Sequence, residues 1–183
     1  MKFFEEQIET KTLYEGLVVD IKSDVVRLQN GNHSKREVVV HPGGVGIVPL
    51  TCDNKIIMVR QYRYCMDEEI IEIPAGKLEY GEDPFECAKR ELSEETGCTA
   101  GRYVDLGKIY PSPGFCKETL YLYLALDLKR GDMHLDENEL LSIEEVDLDV
   151  LIDMIKDNKL HDAKSVVAIL KTKMYLDELG IRK

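Results

Sequence analysis

The 183-residue chain is long enough for one domain with a small subdomain, and its 44% hydrophobic and 32% charged content is that of a globular soluble protein. No apolar stretch approaches the roughly 20 residues that span a bilayer, which excludes a membrane-spanning helix. The formal net charge of −11 counts against general nucleic-acid binding, which needs clustered Lys and Arg. It also means that an acidic substrate must be met through a cation or a local basic patch, so a divalent metal enters before any motif is read.

The opening MKFFEEQIETK is acidic and alternating, unlike a secretory signal, so the expected compartment is the cytoplasm. The first 40 residues read as strands: Leu17 to Leu28 is rich in Val and Ile, and Asn30-Gly31-Asn32 is a turn leading into Glu37–His41. Val45–Leu50 and Ile56–Tyr62 follow as strands joined by the turn-like Thr51-Cys52-Asp53-Asn54, and Ile70–Ile73 is a short apolar run closed by Pro74. The Gly43-Gly44-Val45-Gly46 run lacks the GK[ST] ending of a phosphate-binding loop and leads into a strand, so it reads as a turn. From Pro84 to Thr96 the period becomes helical, with Phe85, Ala88 and Leu92 on one face. Asp83 suits the N-cap with Glu86 three residues on, Pro84 the first helical position, and Gly97 the left-handed position past the end. Strands at Tyr103–Tyr110 and Leu120–Leu128 come next, then a long acidic loop from Arg130 to about Leu141 and a short strand near Ser142–Glu145. Helices over Leu148–Asn158 and Asp162–Leu179 close an α+β pattern without repeats or low-complexity linkers. The five cysteines, Cys52, Cys65, Cys87, Cys98 and Cys116, are odd in number and form no CxxC pair, so neither a disulfide framework nor a zinc site is indicated.

Glu91, Glu94 and Glu95 stand at i, i+3 and i+4 of the first helix, on one face and within reach of a common point. Crowded carboxylates raise one another's pKa unless a cation intervenes; Arg90 relieves part of the repulsion, and magnesium ions, which favour hard oxygen ligands shared with substrate phosphates, would relieve more. On charge pattern alone a solvated acidic face is the commoner explanation. The stretch around it decides: GKLEYGEDPFECAKRELSEETGC, from Gly76, matches the Nudix box, with Gly76, Glu82, Arg90, Glu91, Leu92, Glu94, Glu95 and Gly97 in register. The one departure is Cys98, where the family usually has an aliphatic residue, and Cys serves there as a small buried hydrophobe.

Resemblance to the Nudix family implies an α/β/α sandwich, here with a small N-terminal antiparallel β subdomain over residues 1–42 and the hydrolase domain over 43–183. It implies hydrolysis of a nucleoside diphosphate linked to another group, with two or three Mg²⁺ ions as cofactor and Mn²⁺ as a substitute. By the same resemblance Glu91, Glu95 and the carbonyl of Ala75 are metal ligands, Glu94 supports or shares that shell, and Arg90 orients the carboxylates. Gly76 lets the loop approach the metal closely, and Glu82 bridges back to the helix, caps it or faces substrate. Pro113, 16 residues after Gly97, resembles the proline that marks the ADP-ribose pyrophosphatase subgroup, although Pro-x-Pro-Gly is also an ordinary turn. That subgroup carries a glutamate-bearing loop where this chain has Leu135-Asp136-Glu137-Asn138-Glu139, making Glu137 the expected base and Glu139 a further metal ligand, with the two open to exchange. Lys159-Leu160-His161-Asp162-Ala163-Lys164-Ser165 also resembles the start of the subgroup's C-terminal helix.

Upstream, Arg60-Gln61-Tyr62-Arg63 and Glu72-Ile73-Pro74-Ala75-Gly76 follow the subgroup too. Arg63 is expected on the substrate diphosphate, where a guanidinium binds bidentately, and Glu72 on an adenine or ribose donor; each has a plain surface role as its alternative. Tyr62, Tyr64 and Phe115 are candidate stacking platforms in a chain without Trp. The substrate expected is ADP-ribose or another ADP-sugar, and the resemblance implies a homodimer with swapped N-terminal strands. Nudix activity on NADH or a nucleotide triphosphate, and a non-catalytic ADP-ribose sensor, are the competing readings.

Overall fold

The computed structural model describes residues 3–135 and 140–180. Along these the chain forms β1 (Glu5–Glu15), β2 (Asp20–Leu28), β3 (His33–Val40), β4 (Gly44–Pro49), β5 (Lys55–Arg63), β6 (Glu68–Glu72) and β7 (Ala75–Lys77). Then come α1 (Pro84–Thr96), β8 (Cys98–Ile109), β9 (Cys116–Lys117), β10 (Leu120–Arg130), β11 (Leu141–Asp147), α2 (Leu148–Lys156) and α3 (Ala163–Glu178). No described helix is long and apolar enough to cross a membrane.

Two compact units result. Residues up to Gly43, together with Tyr110–Thr119, make the first. Its sheet runs β1-β2-β3-β9, with β1, β2 and β3 antiparallel and β9 added parallel to β3. The turn at Asn30-Gly31 closes β2 onto β3: Gly31 takes φ 85°, and the Leu28 N–H donates to the Asn32 carbonyl at 2.8 Å. Sequence had assigned Leu17–Leu28 to one strand, but Gly16–Val19 forms a tight return closed by the Gly16 N–H on the Val19 carbonyl, and pairing begins at Asp20. It had also given Tyr110–Thr119 to the second part of the chain; β9 returns it to the first.

The second unit holds Gly44–Ile109 and the chain from Leu120 onward. Its mixed sheet β7-β4-β10-β8 is buried on both faces, and the alternation of side chains shows how. Along β4, Val45 and Ile47 join a cluster with Cys87, Ala88 and Leu92 of α1, whereas Val48 and Leu50 join another with Ala168, Ile169 and Leu176 of α3. β10 repeats the pattern, sending Ala125 to the first cluster and Leu122, Leu124 and Leu126 to the second. Because successive strand side chains point to opposite faces, apolar residues at every position mean helices on both sides. This is the α/β/α sandwich of an α+β chain. A second sheet, β11-β5-β6, contributes Ile57 to one cluster and Ile56 and Met58 to the other. The Gly43–Gly46 run departs from its reading as a turn: only Gly43 turns, at φ 92°, and β4 already begins at Gly44.

Candidate active site

α1 is fixed at both ends by local chemistry. Asp83 accepts from the backbone N–H groups of Phe85 (2.9 Å) and Glu86 (3.3 Å), Pro84 opens the helix, and Gly97 closes it at φ 67° with its N–H on the Ser93 carbonyl. The Glu86 carboxylate, placed for a capping box, instead accepts from Lys89 at 2.7 Å. Phe85 anchors the helix on the sheet, its ring edge-on to Tyr103 with centroids 5.1 Å apart.

So held, α1 presents Glu91 and Glu95, one turn apart and both buried, to the peptide that joins Ala75 and Gly76. The Ala75 N–H donates to Glu95 Oε2 at 2.9 Å. The Glu91 carboxylate lies where a side chain on residue 76 would stand: a Cβ there would fall 1.8 Å from its Cδ and 1.9 Å from Oε1. No residue but glycine leaves that space. The strand β7, pairing Ala75 with Gly46 and Gly76 with Val45, holds the peptide in place.

Arg90 organises the surrounding acids. Its Nε and Nη2 clamp Glu82 Oε1 and Oε2 at 3.0 and 3.1 Å, while Nη1 donates to Glu91 Oε1 at 2.7 Å and to Glu94 Oε2 at 2.9 Å. Glu82 is thereby held down to about 2, with the Arg90 bonds as the leading cause and the Glu79 N–H assisting against burial. Arg90 is raised in return, first by Glu82 and then, against its own burial, by Glu91 and Glu94. Both oxygens of Glu82 are thus engaged by Arg90, and Oε2 is shared with the Glu79 N–H. Burial, with Glu82 beside it, pushes the Cys87 thiol up to about 12, far from a nucleophile's range. Cys98 is buried in the cluster under α1, filling an aliphatic position.

A second polar group is built around Glu72. Glu72, 1% exposed, accepts from Arg63 Nε at 2.6 Å through one oxygen and from Lys164 Nζ through the other. Lys164 also pairs with Asp162 Oδ2 at 3.0 Å, and Asp162 caps α3 by accepting from the Ser165 N–H at 3.0 Å and its hydroxyl at 2.5 Å. The Ser165 hydroxyl in turn accepts from the Ile73 N–H at 2.8 Å. Burial alone would lower Arg63; the Glu72 bond, with Glu95 and Asp162 in reach, more than offsets this and raises it. Arg63 therefore stands within the field of a box carboxylate.

Several expected residues fall elsewhere. Pro113 belongs to the first unit, in a turn where the N–H groups of Phe115 and Cys116 donate to the Ser112 carbonyl. Tyr62, Tyr64 and Phe115 are exposed, and the Tyr62 hydroxyl donates to Asp67 at 2.5 Å. Glu137 and Glu139 lie outside the described residues. Sequence reading missed Asp162, Lys164 and Ser165 as members of this network. The cap signal of Asp162 before an apolar run was visible, but its link to Glu72 spans 92 residues.

The donor set suits a divalent cation. Two buried carboxylates, Glu91 and Glu95, meet the Ala75–Gly76 peptide at a glycine without which the space would be filled, and carboxylates offer hard oxygens. Among the described residues no group of three or more His, Cys, Asp or Glu side chains converges as a metal site.

The NUDIX domain model matches residues 40–168, which contain the whole of this arrangement. The chain belongs to the Nudix family. This Nudix chain is similar to the methanol dehydrogenase activator of Bacillus methanolicus, 45% identical over 171 residues that cover 92% of each chain. To the ADP-ribose pyrophosphatase of Bacillus subtilis (strain 168) it is 42% identical over 172 residues, 92% of this chain and 93% of the other. A crystal structure of an ADP compounds hydrolase shares the fold at a TM-score of 0.85, 24% identical and covering 96% of both chains. The chain is accordingly a Nudix pyrophosphohydrolase, in a family that works with divalent metals such as Mg²⁺.

Proposed function

We propose that this chain hydrolyses the diphosphate of ADP-ribose, or of a related ADP-sugar, to AMP and a sugar phosphate with the help of Mg²⁺. The observation that supports this choice of substrate is the likeness to the Bacillus subtilis ADP-ribose pyrophosphatase along nearly the whole of both chains. Glu91, Glu95 and the Ala75 carbonyl would hold the metal, with Glu139 as a further ligand. Bound there, Mg²⁺ supplies charge neutralisation for the diphosphate and a lowered pKa for water. Arg90 keeps Glu91 and Glu94 in place at the metal edge. Arg63 takes the diphosphate, Glu72 sets that guanidinium, and Glu137 accepts the proton of the attacking water. Pro113 is a further substrate contact in this reading, and the protein works as a cytoplasmic homodimer.

AMP release from ADP-ribose with and without Mg²⁺, run beside ADP-glucose, NADH and 8-oxo-dGTP, tests the reading. Metal-dependent cleavage favouring ADP-ribose is expected; preference for another compound would overturn the substrate, and binding without turnover would favour a sensor. Glu137→Gln should lower kcat by about 10²-fold or more with KM nearly kept.

A second reading has its own support in the likeness to the methanol dehydrogenase activator. Adding the chain with Mg²⁺ to a methanol dehydrogenase and following the initial rate decides it; an unchanged rate removes this reading.

A further inference from the structure

Two arginine–glutamate pairs among the described residues, Arg90–Glu82 and Arg63–Glu72, differ in geometry. Arg90 closes a two-bond clamp on Glu82, using both carboxylate oxygens. Arg63 reaches Glu72 Oε1 through Nε, and Lys164 Nζ donates to Oε2. Guanidinium and carboxylate prefer the parallel two-bond arrangement; the second oxygen of Glu72 is taken by another cation, Lys164, whereas the second oxygen of Glu82 carries a neutral N–H, that of Glu79, beside Arg90. Lys164 is itself fixed: its side chain is 12% exposed, it pairs with the α3 cap Asp162, and Asp162 is bound by Ser165, whose hydroxyl also receives the Ile73 N–H. With Nε spent on Glu72, the terminal nitrogens of the Arg63 fork are the donors available to two phosphate oxygens.

We propose that Lys164 is a positioning residue for diphosphate recognition, acting through Glu72 to prevent Arg63 from closing its fork inward on that carboxylate. The inference rests on the reading of Arg63 as the diphosphate contact of a Nudix hydrolase. Without Lys164, Arg63 rotates to clamp both oxygens of Glu72, as Arg90 does Glu82, and one terminal nitrogen is withdrawn from substrate. The first turn of α3, 92 residues away in sequence from Glu72, thus sets how tightly substrate is held.

The test begins with the wild type on ADP-ribose and the companion compounds, and continues on whichever is turned over fastest, so that the variants bear on Lys164 alone. Lys164→Met should raise KM about tenfold while kcat changes by less than about twofold, the signature of lost uniform binding. Lys164→Arg should remain within about threefold of wild type. In an Arg63→Ala background, Lys164→Met should add no further rise in KM, because the residue it acts through is gone. Glu72→Gln/Lys164→Met, in which the single amide oxygen cannot accept a two-bond clamp, should have a lower KM than Lys164→Met. An unchanged KM in Lys164→Met, or an equal rise with and without Arg63, overturns the proposal. If Lys164→Met fails to fold, Glu72→Gln/Lys164→Met is compared with Glu72→Gln: equal KM values support the proposal, and a tenfold rise overturns it. A wild type that turns over none of the compounds removes both this inference and the reading beneath it.

Discussion

Two residues give the proposed metal edge its shape, and each has a distinct physical signature. Gly76 is required for space rather than for conformational freedom, since any Cβ would enter the Glu91 carboxylate. Gly76→Ala must therefore displace either that carboxylate or the β7 backbone, and a displacement near 1 Å at a reacting centre can cost about 10²-fold in rate. We expect kcat on ADP-ribose to fall at least that far, with more Mg²⁺ needed for half-maximal rate; steady-state kinetics across a Mg²⁺ titration measures both. Glu82 acts through charge. Its folded pKa of about 2 lies below the ordinary 4.5, so the stabilisation it gives is complete above 4.5 and disappears as pH falls toward 2. A shift of this size corresponds to roughly 3 kcal/mol at most, since a pKa unit is about 1.4 kcal/mol. Glu82→Gln should lower the thermal midpoint at neutral pH and flatten its decline through the acid window, as melting curves of both proteins from about pH 6 to pH 2 would show. A variant with the wild-type acid slope would mean that other carboxylates carry the pH dependence.

At the level of elements, α1 is the part of the fold that its own sequence specifies. Asp83, Pro84 and Gly97 fix its ends through contacts within four residues, and the expected span of Pro84 to Thr96 is the span observed. Asp83→Ala removes the acceptor for two backbone N–H groups and should cost about 1 kcal/mol in urea unfolding, with Asp83→Asn recovering most of it. Strands fared less evenly, for a physical reason. β4 and β10 are buried on both faces and read as apolar runs, whereas β7 is three residues long and exists only because β4, some 30 positions earlier, pairs with it. The site divides in the same way. Helical spacing puts Glu91 and Glu95 on one face, and it is the match of the whole stretch from Gly76 to the Nudix box that separates this face from a solvated acidic one. The Arg63–Glu72–Lys164 group was not legible, because a buried Glu among Ile71 and Ile73 reads the same whether it faces solvent or two cations brought from β5 and α3.

For the whole molecule the open edge of the first unit carries the remaining expectation. In the order β1-β2-β3-β9 the outer side of β1 has no described partner strand, and all eleven of its residues are exposed. A strand of this length with Ile8, Leu13 and Tyr14 about half exposed invites pairing with another chain. The charges interleaved with them, among them Glu5, Glu6, Glu9 and Lys11, discourage indiscriminate association while leaving a complementary surface recognisable. Glu6 is tied to Arg27 of the adjacent β2 and Glu5 to Arg36 of β3 beyond it, contacts that hold β1 to its own sheet. The proposed homodimer uses this strand, so light scattering should give twice the 20.9 kDa chain mass. Removing β1 should yield the mass of a single shortened chain and, if the partner completes the site, should raise KM for ADP-ribose even where the second unit stays folded. A monomer mass for the full chain would separate the activity from assembly and leave the exposed face of β1 without this role.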